Sequence, residues 1–261
     1  MTVQPRLGVV IPTWNDAAPL GRTLEALAQL PAEVQQQLEI VVADGGSADG
    51  TLEVLARHSG LLHHVTSQPD RGVYDAMNRG VSTMNATWVW FLGAGDCPLI
   101  PGLTKLLDHL NTCPEETGQA FAVRASEPRE PGVPGVFEPK WGSSLTWRNT
   151  LHHQGLVVPK SWLLVTPFDP SFRVLGDYAW LLDMRAEGRT FQCHPEITLA
   201  EVPGGGLSRQ FNAALYREEW RVKRTRFIGR ERVAQLAWLP AKWAFKLVSK
   251  AFKISGSSTP Q

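Results

Sequence analysis

The sequence predicts an α/β fold in which a central, mostly parallel β-sheet carries helices on both faces. Short apolar segments alternate with amphipathic ones through residues 1–112, which is typical of successive βα units. Apolar segments such as Leu7–Ile11 and Ile40–Ala43 contain no alternating polar residues, as expected of strands buried on both faces. The 261 residues, 43% hydrophobic and 20% charged, can bury a core of this size and exclude a disordered, collagenous or coiled-coil chain.

Each predicted element follows from its hydrophobic periodicity. In order, the first half is predicted to contain strand Leu7–Pro12, helix Leu20–Gln29, strand Glu39–Asp44, helix Thr51–His58, strand Leu62–Ser67, helix Tyr74–Ser82, strand Trp88–Leu92 and helix Gly102–Asn111. The βα pattern is lost between Glu115 and Thr150, where Pro and Gly predict a long loop or hairpin. Regular structure resumes with strand Gly155–Pro159, helix Tyr178–Glu187 and strand Thr190–Cys193.

The cysteines and the N-terminal residues indicate which cellular compartment to expect. Cys97, Cys113 and Cys193 have neither Cys-x-x-Cys nor Cys/His metal spacing, so we expect no disulfides and no structural zinc, and a reducing cytosol fits best. The first residues contain no apolar signal segment, and no apolar run approaches the ~18–20 residues that cross a bilayer. We therefore expect a cytoplasmic protein.

The net charge of +1 hides an asymmetry between the body and the C-terminal tail. Residues 209–253 hold 12 Lys or Arg and 3 Glu, whereas residues 1–208 hold 14 Lys or Arg and 22 Asp or Glu. An acidic body argues against nucleic-acid binding. The basic tail, which contains Trp residues, is expected to contact an anionic surface.

The tail also has the pattern of an amphipathic helix. On a helical wheel that starts with Pro240 in the first turn, one narrow stripe contains Lys242, Lys246, Lys250 and Lys253, and apolar residues cover most of the rest. About 15 residues give a helix of roughly 22 Å, which suits the membrane interface better than a span. We expect residues 236–254 to attach the protein to a membrane surface; docking on the body or on a second subunit is the alternative.

Polar clusters follow the predicted strands of the first half. The four clusters are Pro12-Thr13-Trp14-Asn15, Asp44-Gly45-Gly46-Ser47-Ala48-Asp49-Gly50-Thr51, Gln68-Pro69-Asp70-Arg71-Gly72-Val73-Tyr74-Asp75 and Gly93-Ala94-Gly95-Asp96. The carboxyl ends of parallel strands meet at one edge of a sheet, so these side chains are expected to converge there. Ser47, Asp49 and Asp75 could instead cap the helices that follow them. Asp44 and Asp96 are stronger functional candidates because a buried carboxylate needs a donor or a cation.

Taken in order, these four segments resemble family-2 glycosyltransferases of the GT-A fold, over residues 7–210. The resemblance implies inverting transfer of a sugar from a nucleotide-diphosphate sugar, usually with Mg²⁺ or Mn²⁺. It also implies a donor site that consists of Pro12, Thr13, Asn15, Asp44, Gly46, Ser47, Asp70, Arg71, Asp75, Asn78 and Gly95. Asp44 would contact the base or ribose, and Arg71 could contact phosphate.

The resemblance implies a metal ligand as well. Asp96 matches the final acid of the family's DxD motif, whose carboxylate holds the divalent cation against the diphosphate. The first acid of that motif is replaced by Ala94, so waters and phosphate oxygens would complete the coordination. In the alternative interpretation, Asp96 only binds loop amides.

By the same resemblance, Asp177 is the general base that takes a proton from the acceptor hydroxyl, although an Asp at a helix start can also be an N-cap. His153 and Gln154 resemble a pair near the acceptor or diphosphate. On an extended segment His152 and His153 would point to opposite faces, so joint metal ligation is not expected.

Ser208, after Gly204-Gly205-Gly206, resembles a segment that closes over the donor; the alternative is an ordinary linker.

The sequence therefore predicts a GT-A catalytic domain, 1–208, with a nucleotide-binding half, 1–112, and an acceptor-binding half, 113–208. A basic helical tail, 209–254, and a disordered end, 255–261, follow. No Gln-x-x-Arg-Trp motif lies between Asp177 and Ser208, which favours transfer of a single sugar. The basic tail alone suggests a lipid-linked or surface-glycan acceptor at the inner face of the plasma membrane.

Other functions and assignments were weighed against this interpretation, and some of them stay open. A donor-binding scaffold remains possible, and a homo-oligomer is possible too. A sugar nucleotidyltransferase is disfavoured because its Gly-rich phosphate loop is missing after the first strand, and a dinucleotide dehydrogenase fails for the same reason. Trp141 and Trp147 could either stack on an acceptor sugar or pack in the core.

Overall fold

The structure is a computed structural model that describes residues 5–128, 133–203 and 212–255. The chain divides into two compact units, Met1–Gly206 and Leu207–Gln261, and each is described by itself. Ser208 and the three glycines before it lie outside the described residues, and so does the predicted disordered end apart from Ser255. Among the described helices, none is both long and apolar enough to cross a bilayer.

The first unit alternates strands and helices along most of its length. Its elements are β1 Leu7–Thr13, α1 Ala17–Ala28, α2 Ala32–Gln35, β2 Leu38–Asp44, α3 Thr51–Arg57, β3 His64–Ser67, α4 Val73–Thr83, β4 Trp88–Phe91, β5 Cys97–Pro98, α5 Ile100–Leu110, β6 Thr117–Ala125, β7 Val136–Phe137, β8 Leu156–Pro159, α6 Lys160–Val165, α7 Gly176–Ala186 and β9 Thr190–Val202. Two 3₁₀ turns, Ser143–Thr146 and His153–Gly155, precede β8.

These strands form one mixed sheet in the order β3-β2-β1-β4-β8-β6-β9-β5, with β7 paired to β6. The first four strands are parallel, and β8 enters antiparallel between β4 and β6. Every residue of β1, β2 and β4 is buried, because helices cover both faces of this part of the sheet. The predicted α/β class, with a mostly parallel sheet, is confirmed.

The prediction of a long loop or hairpin between Glu115 and Thr150 was wrong for its first part. Residues Thr117–Ala125 form β6, which lies between β8 and β9 inside the sheet. The strand contains Gly118, Ala120 and Ala122, and its composition therefore carries a weak β signal. Its place in the sheet comes from pairing with distant strands.

The last strand was also predicted too short. β9 continues past Cys193 to Val202, although Pro195 cannot donate to a sheet ladder. The register of β6 against β9 jumps from the Phe121–His194 pair to the Ala122–Thr198 pair. This irregularity leaves the proline outside the paired positions and lets the strand resume.

The second unit contains α8, Ala213–Arg226, and α9, Gly229–Ser255. The side chain of Asn212 caps α8 by accepting a hydrogen bond from the Leu215 N–H. Pro240 was predicted in the first turn of a helix, but it lies inside α9, which is 27 residues long. The tail helix therefore starts eleven residues before the predicted position, counted from Gly229 to Pro240.

Lys242, the first lysine of the predicted stripe, contacts α8 instead of facing solvent. Lys242 binds the Glu219 carboxylate of α8, and the Trp243 indole N–H donates to the other Glu219 oxygen at 3.0 Å. The Trp243 ring also packs edge-on against Tyr216, with the centroids 4.8 Å apart. This side of α9 is therefore the contact with α8.

Replacing Glu39 by Ala should destabilise the first unit strongly. Glu39 is 2% exposed, and its carboxylate accepts the backbone N–H groups of Asn85 and Ala86, the latter at 2.6 Å. The variant leaves these amides unpaired at a cost of about 2–4 kcal/mol in the free energy of unfolding, measurable by urea denaturation. The exposed Glu33→Ala is the control, and an equally small loss in both variants would contradict this assignment.

Candidate active site

The carboxyl ends of β1, β2 and β3 lie side by side, with Thr13 in register with Asp44 and Asp44 in register with Ser67. Asp44 is fully buried, and its oxygens accept hydrogen bonds from the Ser67 hydroxyl at 2.6 Å, from the N–H groups of Gly46 and Ser47 at 3.2 and 3.0 Å, and from the Ser47 hydroxyl. Desolvation raises the pKa of Asp44, but these hydrogen bonds outweigh it and hold the pKa below its usual value. The carboxylate is an anion that fixes the loop after β2.

The segment after β1 is bound to the same loop. The Asn15 N–H donates to Ser47 Oγ at 2.7 Å, and Asn15 Oδ1 accepts from the Ala48 N–H at 2.8 Å. Asn15 adopts a left-handed φ of 51°, which Asn tolerates better than most residues. Thr13 follows Pro12 at the end of β1. Its buried Oγ1 has no hydrogen-bond partner among the described residues, so this polar atom is available to a ligand.

Asp70 brings the loop after β3 against the loop after β2. Its oxygens accept from the Gly72 N–H at 2.8 Å and from the Arg79 guanidinium at 3.3 Å. A Cβ atom on Gly45 would lie 2.7 Å from Asp70 Oδ2, so the glycine leaves room for this carboxylate beside the loop after β2. The sequence did not identify Arg79 as a partner of this loop.

Three residues predicted near the donor have structural partners. Asp75 accepts the Arg71 guanidinium at 2.7 Å and the Arg71 N–H at 3.2 Å, in the first turn of α4. Asn78 uses both groups of its amide on the backbone of Phe168, at 2.8 and 3.0 Å. In this geometry Asp75 and Asn78 brace the site, and Arg71, with 73% of its side chain exposed, is the one turned towards solvent.

Asp49 binds the start of α3 from one position before the N-cap residue, which is Gly50. Its oxygens accept from the Thr51 N–H at 3.0 Å and from the Ala17 N–H at 3.1 Å, which joins the starts of α3 and α1.

Asp96 lies in a tight turn after β4. Its Oδ2 accepts the Gly93 N–H at 2.6 Å and the Gln154 side-chain amide at 2.8 Å. Gly95 has a φ of +96°, and Thr23 braces the turn by accepting the Gly95 N–H and donating to the Asp96 carbonyl. Desolvation raises the pKa of Asp96 to about 6, against the lowering effect of these hydrogen bonds. A carboxylate held in this way favours a proton or a cation.

Asp96 and Gln154 fit a hard divalent cation only together with further oxygens. The Gln154 Oε1 atom is buried and finds no hydrogen-bond partner in the described parts of the chain. Carboxylate and amide oxygens are ligands that Mg²⁺ and Mn²⁺ accept. The described residues contain no group of three or more His, Cys, Asp or Glu that could hold a metal alone. Phosphate oxygens and water would have to supply the remaining ligands.

Asp177 lies in the first turn of α7 with its two oxygens in different environments. Oδ1 accepts the Tyr178 N–H at 2.7 Å and lies 3.3 Å from the Tyr74 hydroxyl, whereas Oδ2 accepts the Asn149 amide at 3.2 Å. Desolvation raises the pKa of Asp177 to about 6. The carboxylate is therefore more basic than an exposed Asp and is held in one orientation.

His153 faces the same carboxylate without forming an ion pair. Its Nδ1 lies 3.9 Å from Asp177 Oδ2, and desolvation lowers the pKa of His153 to about 4, so the imidazole is neutral at pH 7. The expectation that His152 and His153 point to opposite faces was wrong. Their rings stack with centroids 5.5 Å apart, because His153 begins a 3₁₀ turn in place of an extended segment.

Asp96 and Asp177 are linked through two consecutive residues. Gln154 binds Asp96, and the adjacent His153 faces Asp177, so two consecutive residues join the turn after β4 to the start of α7. Tyr74 had no predicted role. Its hydroxyl connects α4 to Asp177 in α7 and donates to the Val174 carbonyl, just before α7, at 2.7 Å. Sequence reasoning also missed Asn149 and Thr23, which stand in no recognisable motif.

Residues 8–164 match the protein family described as Glycosyl transferase family 2. A PGL/p-HBAD biosynthesis glycosyltransferase of Mycobacterium tuberculosis is 41% identical over 95 residues, which cover 35% of this chain and 36% of that relative. Validoxylamine A glucosyltransferase of Streptomyces hygroscopicus is 39% identical over 94 residues, 35% of this chain and 22% of that protein. The matched stretch thus spans about a third or less of these relatives.

Two solved structures have the same fold at low sequence identity. S. aureus TarS 1-349 in complex with UDP-GlcNAc matches with a TM-score of 0.66 and 15% identity, over 90% of this chain and 71% of that one. The mannosyltransferase PcManGT from Pyrobaculum calidifontis, in complex with GDP-Man and Mn²⁺, has a TM-score of 0.61 and 16% identity, over 100% of this chain and 77% of that one. With the family match covering more than half of its residues, the chain belongs to glycosyl transferase family 2 and has the GT-A fold.

Proposed function

We propose that this glycosyltransferase moves one sugar, with inversion, from a UDP- or GDP-sugar to a hydroxyl of a glycan or lipid-linked acceptor in cell-surface glycan biosynthesis. The observation that carries the proposal is Asp177, a desolvated carboxylate with a pKa of about 6 that Tyr178 and Asn149 hold in place. The connection from Asp177 through His153 and Gln154 to Asp96 supports a single reaction site.

The relatives support the class of donor. One structural relative binds UDP-GlcNAc and another binds GDP-Man with Mn²⁺, which favours a nucleotide-diphosphate sugar here. The proposed lipid-linked or surface-glycan acceptor rests on the basic C-terminal tail.

The donor would bind at the carboxyl ends of β1, β2 and β3. Thr13 Oγ1 and the exposed Trp14, which lies beside Gly45, supply a hydroxyl and an aromatic surface for the nucleoside. The Asp44 carboxylate is already bound to Ser67 and to the loop after β2. It would therefore help to bind the base or ribose indirectly, by holding that loop in place. Arg71 has the exposure and charge to meet phosphate.

A divalent cation would be held by Asp96 and Gln154. When bound, it supplies positive charge that stabilises the leaving diphosphate. Because Ala94 replaces a second acid, the donor's own phosphate oxygens would complete the site, and we expect the cation and the donor to bind together.

Asp177 would act as the general base. A desolvated carboxylate accepts the acceptor's hydroxyl proton more readily than an exposed one, and the oxygen that loses this proton attacks the anomeric carbon on the face opposite the diphosphate. That geometry inverts the anomeric configuration. His153, neutral at pH 7, leaves the charge of Asp177 uncompensated and so leaves it basic.

The basic tail would bring the enzyme to an anionic membrane at the inner face of the plasma membrane, through residues 236–254. Residues 209–253 have 12 basic and 3 acidic residues, and the exposed Trp238 and Phe245 are apolar side chains that can enter a lipid interface. Lys242 is paired with Glu219, so the remaining cations would make the contact. Association between copies of the chain is the alternative use of these exposed side chains.

Asp177→Asn should abolish sugar transfer and keep donor binding. The amide cannot take a proton, so single-turnover transfer should fall by about 10²–10⁴-fold, while donor affinity, measured by calorimetry, should change little. Asp108→Asn, an exposed acid on α5, is the matched control. Equal activity in wild type and Asp177→Asn would contradict the base, and a wild type that binds donor but never transfers sugar would indicate a scaffold.

Activity and stability should respond to pH in opposite directions. Transfer should rise as pH increases through about 6, where Asp177 loses its proton. The folded pKa lies above the model-compound value of 3.8, so the folded state holds the proton more tightly, and the Asp177 contribution to stability falls as pH rises from about 4 to about 6.

Thermal melts of wild type and Asp177→Asn test this sign. Their melting temperatures should differ little at pH 4, and the variant should become the more stable of the two towards pH 7. A constant difference across this range would show that the Asp177 pKa is not raised.

Gln154→Ala should weaken the dependence of donor binding on Mn²⁺. A panel of UDP- and GDP-sugars, screened by thermal shift with and without Mn²⁺, should identify a donor that stabilises the wild type most when Mn²⁺ is present. The variant should lose most of this metal-dependent increment, whereas Gln192→Ala, at an exposed position of β9, should keep it. An unchanged increment in Gln154→Ala would remove Gln154 from the cation site.

A further inference from the structure

The segment Lys140–Thr150 forms a closed loop beside the proposed base. The Lys140 N–H donates to the Thr150 carbonyl at 3.1 Å, and the Thr150 hydroxyl donates back to the Lys140 carbonyl, so the two ends of the loop are joined. The 3₁₀ turn Ser143–Thr146 lies inside it. Trp141, which the sequence left unassigned, packs against Phe191 with ring centroids 4.7 Å apart.

This loop is bound to the helix that carries Asp177. The Tyr178 hydroxyl donates to the Leu145 carbonyl at 2.8 Å, and the Arg185 guanidinium binds Thr146 Oγ1. The Asn149 amide makes the third connection, to Asp177 Oδ2 at 3.2 Å. Tyr178, Arg185 and Asp177 all belong to α7, so the loop and the base form one fixed assembly.

Trp147 lies in this fixed loop, two residues before Asn149, with 48% of its surface exposed. In the same unit Trp88, Trp90 and Trp180 are at most 2% exposed, whereas Trp14, at the proposed donor site, is 66% exposed. An exposed indole on a braced loop is a preformed apolar surface, and binding a ring there costs little conformational entropy. The C–H face of a pyranose ring is an apolar surface of similar size.

We propose that the Lys140–Thr150 loop is the acceptor subsite, in which Trp147 stacks on a pyranose ring and Asn149 aims Asp177 at a hydroxyl of that ring. The inference rests on the proposed function and adds the acceptor class, a glycan that ends in a pyranose in place of a bare lipid alcohol. Trp147 is the recognition residue, and Asn149 is a positioning residue that acts through Asp177.

A binding experiment tests the subsite without catalysis. The protein is labelled with 5-fluorotryptophan, and the ¹⁹F resonance of Trp147 is assigned with Trp147→Phe. Titration with methyl α-D-glucopyranoside, methyl α-D-mannopyranoside or methyl α-L-rhamnopyranoside should shift this resonance saturably with at least one of the three. Sorbitol, an acyclic polyol, should not shift it, and the resonance of Trp238, which is 51% exposed in α9, should stay unchanged.

No saturable shift with any pyranoside would overturn the proposal. Equal shifts with sorbitol, or at Trp238, would overturn it too, because they would indicate non-specific contact. A wild type that consumes no nucleotide-sugar would count against the proposed function, whereas the titration would still decide the role of the loop.

Kinetics separate the two roles in the active enzyme. Trp147→Ala should raise the KM for a methyl pyranoside by about tenfold and leave donor hydrolysis by water unchanged, and Trp147→Phe should stay close to wild type. Asn149→Ala should lower kcat for both transfer and hydrolysis with little change in KM, since the base is misaligned for any acceptor. Leu164→Ala, at a 56% exposed position of α6, is the control. Equal losses of transfer and hydrolysis in Trp147→Ala would overturn the recognition role.

Discussion

The structure depends on how carboxylates are satisfied at the ends of apolar strands. A parallel sheet covered by helices on both faces leaves the strand ends as the place where polar groups can meet a ligand. Asp44 and Asp96 stand there almost without exposure to water, at 0% and 4%. A buried carboxylate is stable only with donors or a cation around it, so the loops that follow the strands take the shapes that supply those donors.

The supply of donors separates the acids into two kinds. Asp44 receives hydrogen bonds from two hydroxyls and from loop amides, which hold its pKa below normal, and it acts as a fixed anion. Asp96 and Asp177 receive fewer donors than their desolvation requires, and the pKa of each is raised to about 6. The same residue type thus organises a loop at one place and is ready to take a cation or a proton at another.

Local sequence predicted the first half of the chain well. Strands such as Leu7–Thr13 and Leu38–Asp44 are buried on both faces, so their sequences are almost entirely apolar. The polar residues that follow each strand therefore stand out and mark the edge of the sheet where the candidate site lies. The pattern failed at Thr117–Ala125 and beyond Cys193, where small residues and a proline give little β signal. The tail was predicted correctly as helical, but Lys242 and Trp243 contact Glu219 of α8.

The sequence by itself determined the fold class, the family and the identity of Asp44, Asp96 and Asp177 as candidates, because hydrophobic periodicity and residue type are local properties. Only the tertiary structure decided what each candidate touches. Asn149 reaches Asp177 across 28 residues of chain, and Gln154 reaches Asp96 across 58, contacts that no local pattern encodes. The raised pKa values belong to the same category, since desolvation is produced by the packing of distant segments around a side chain.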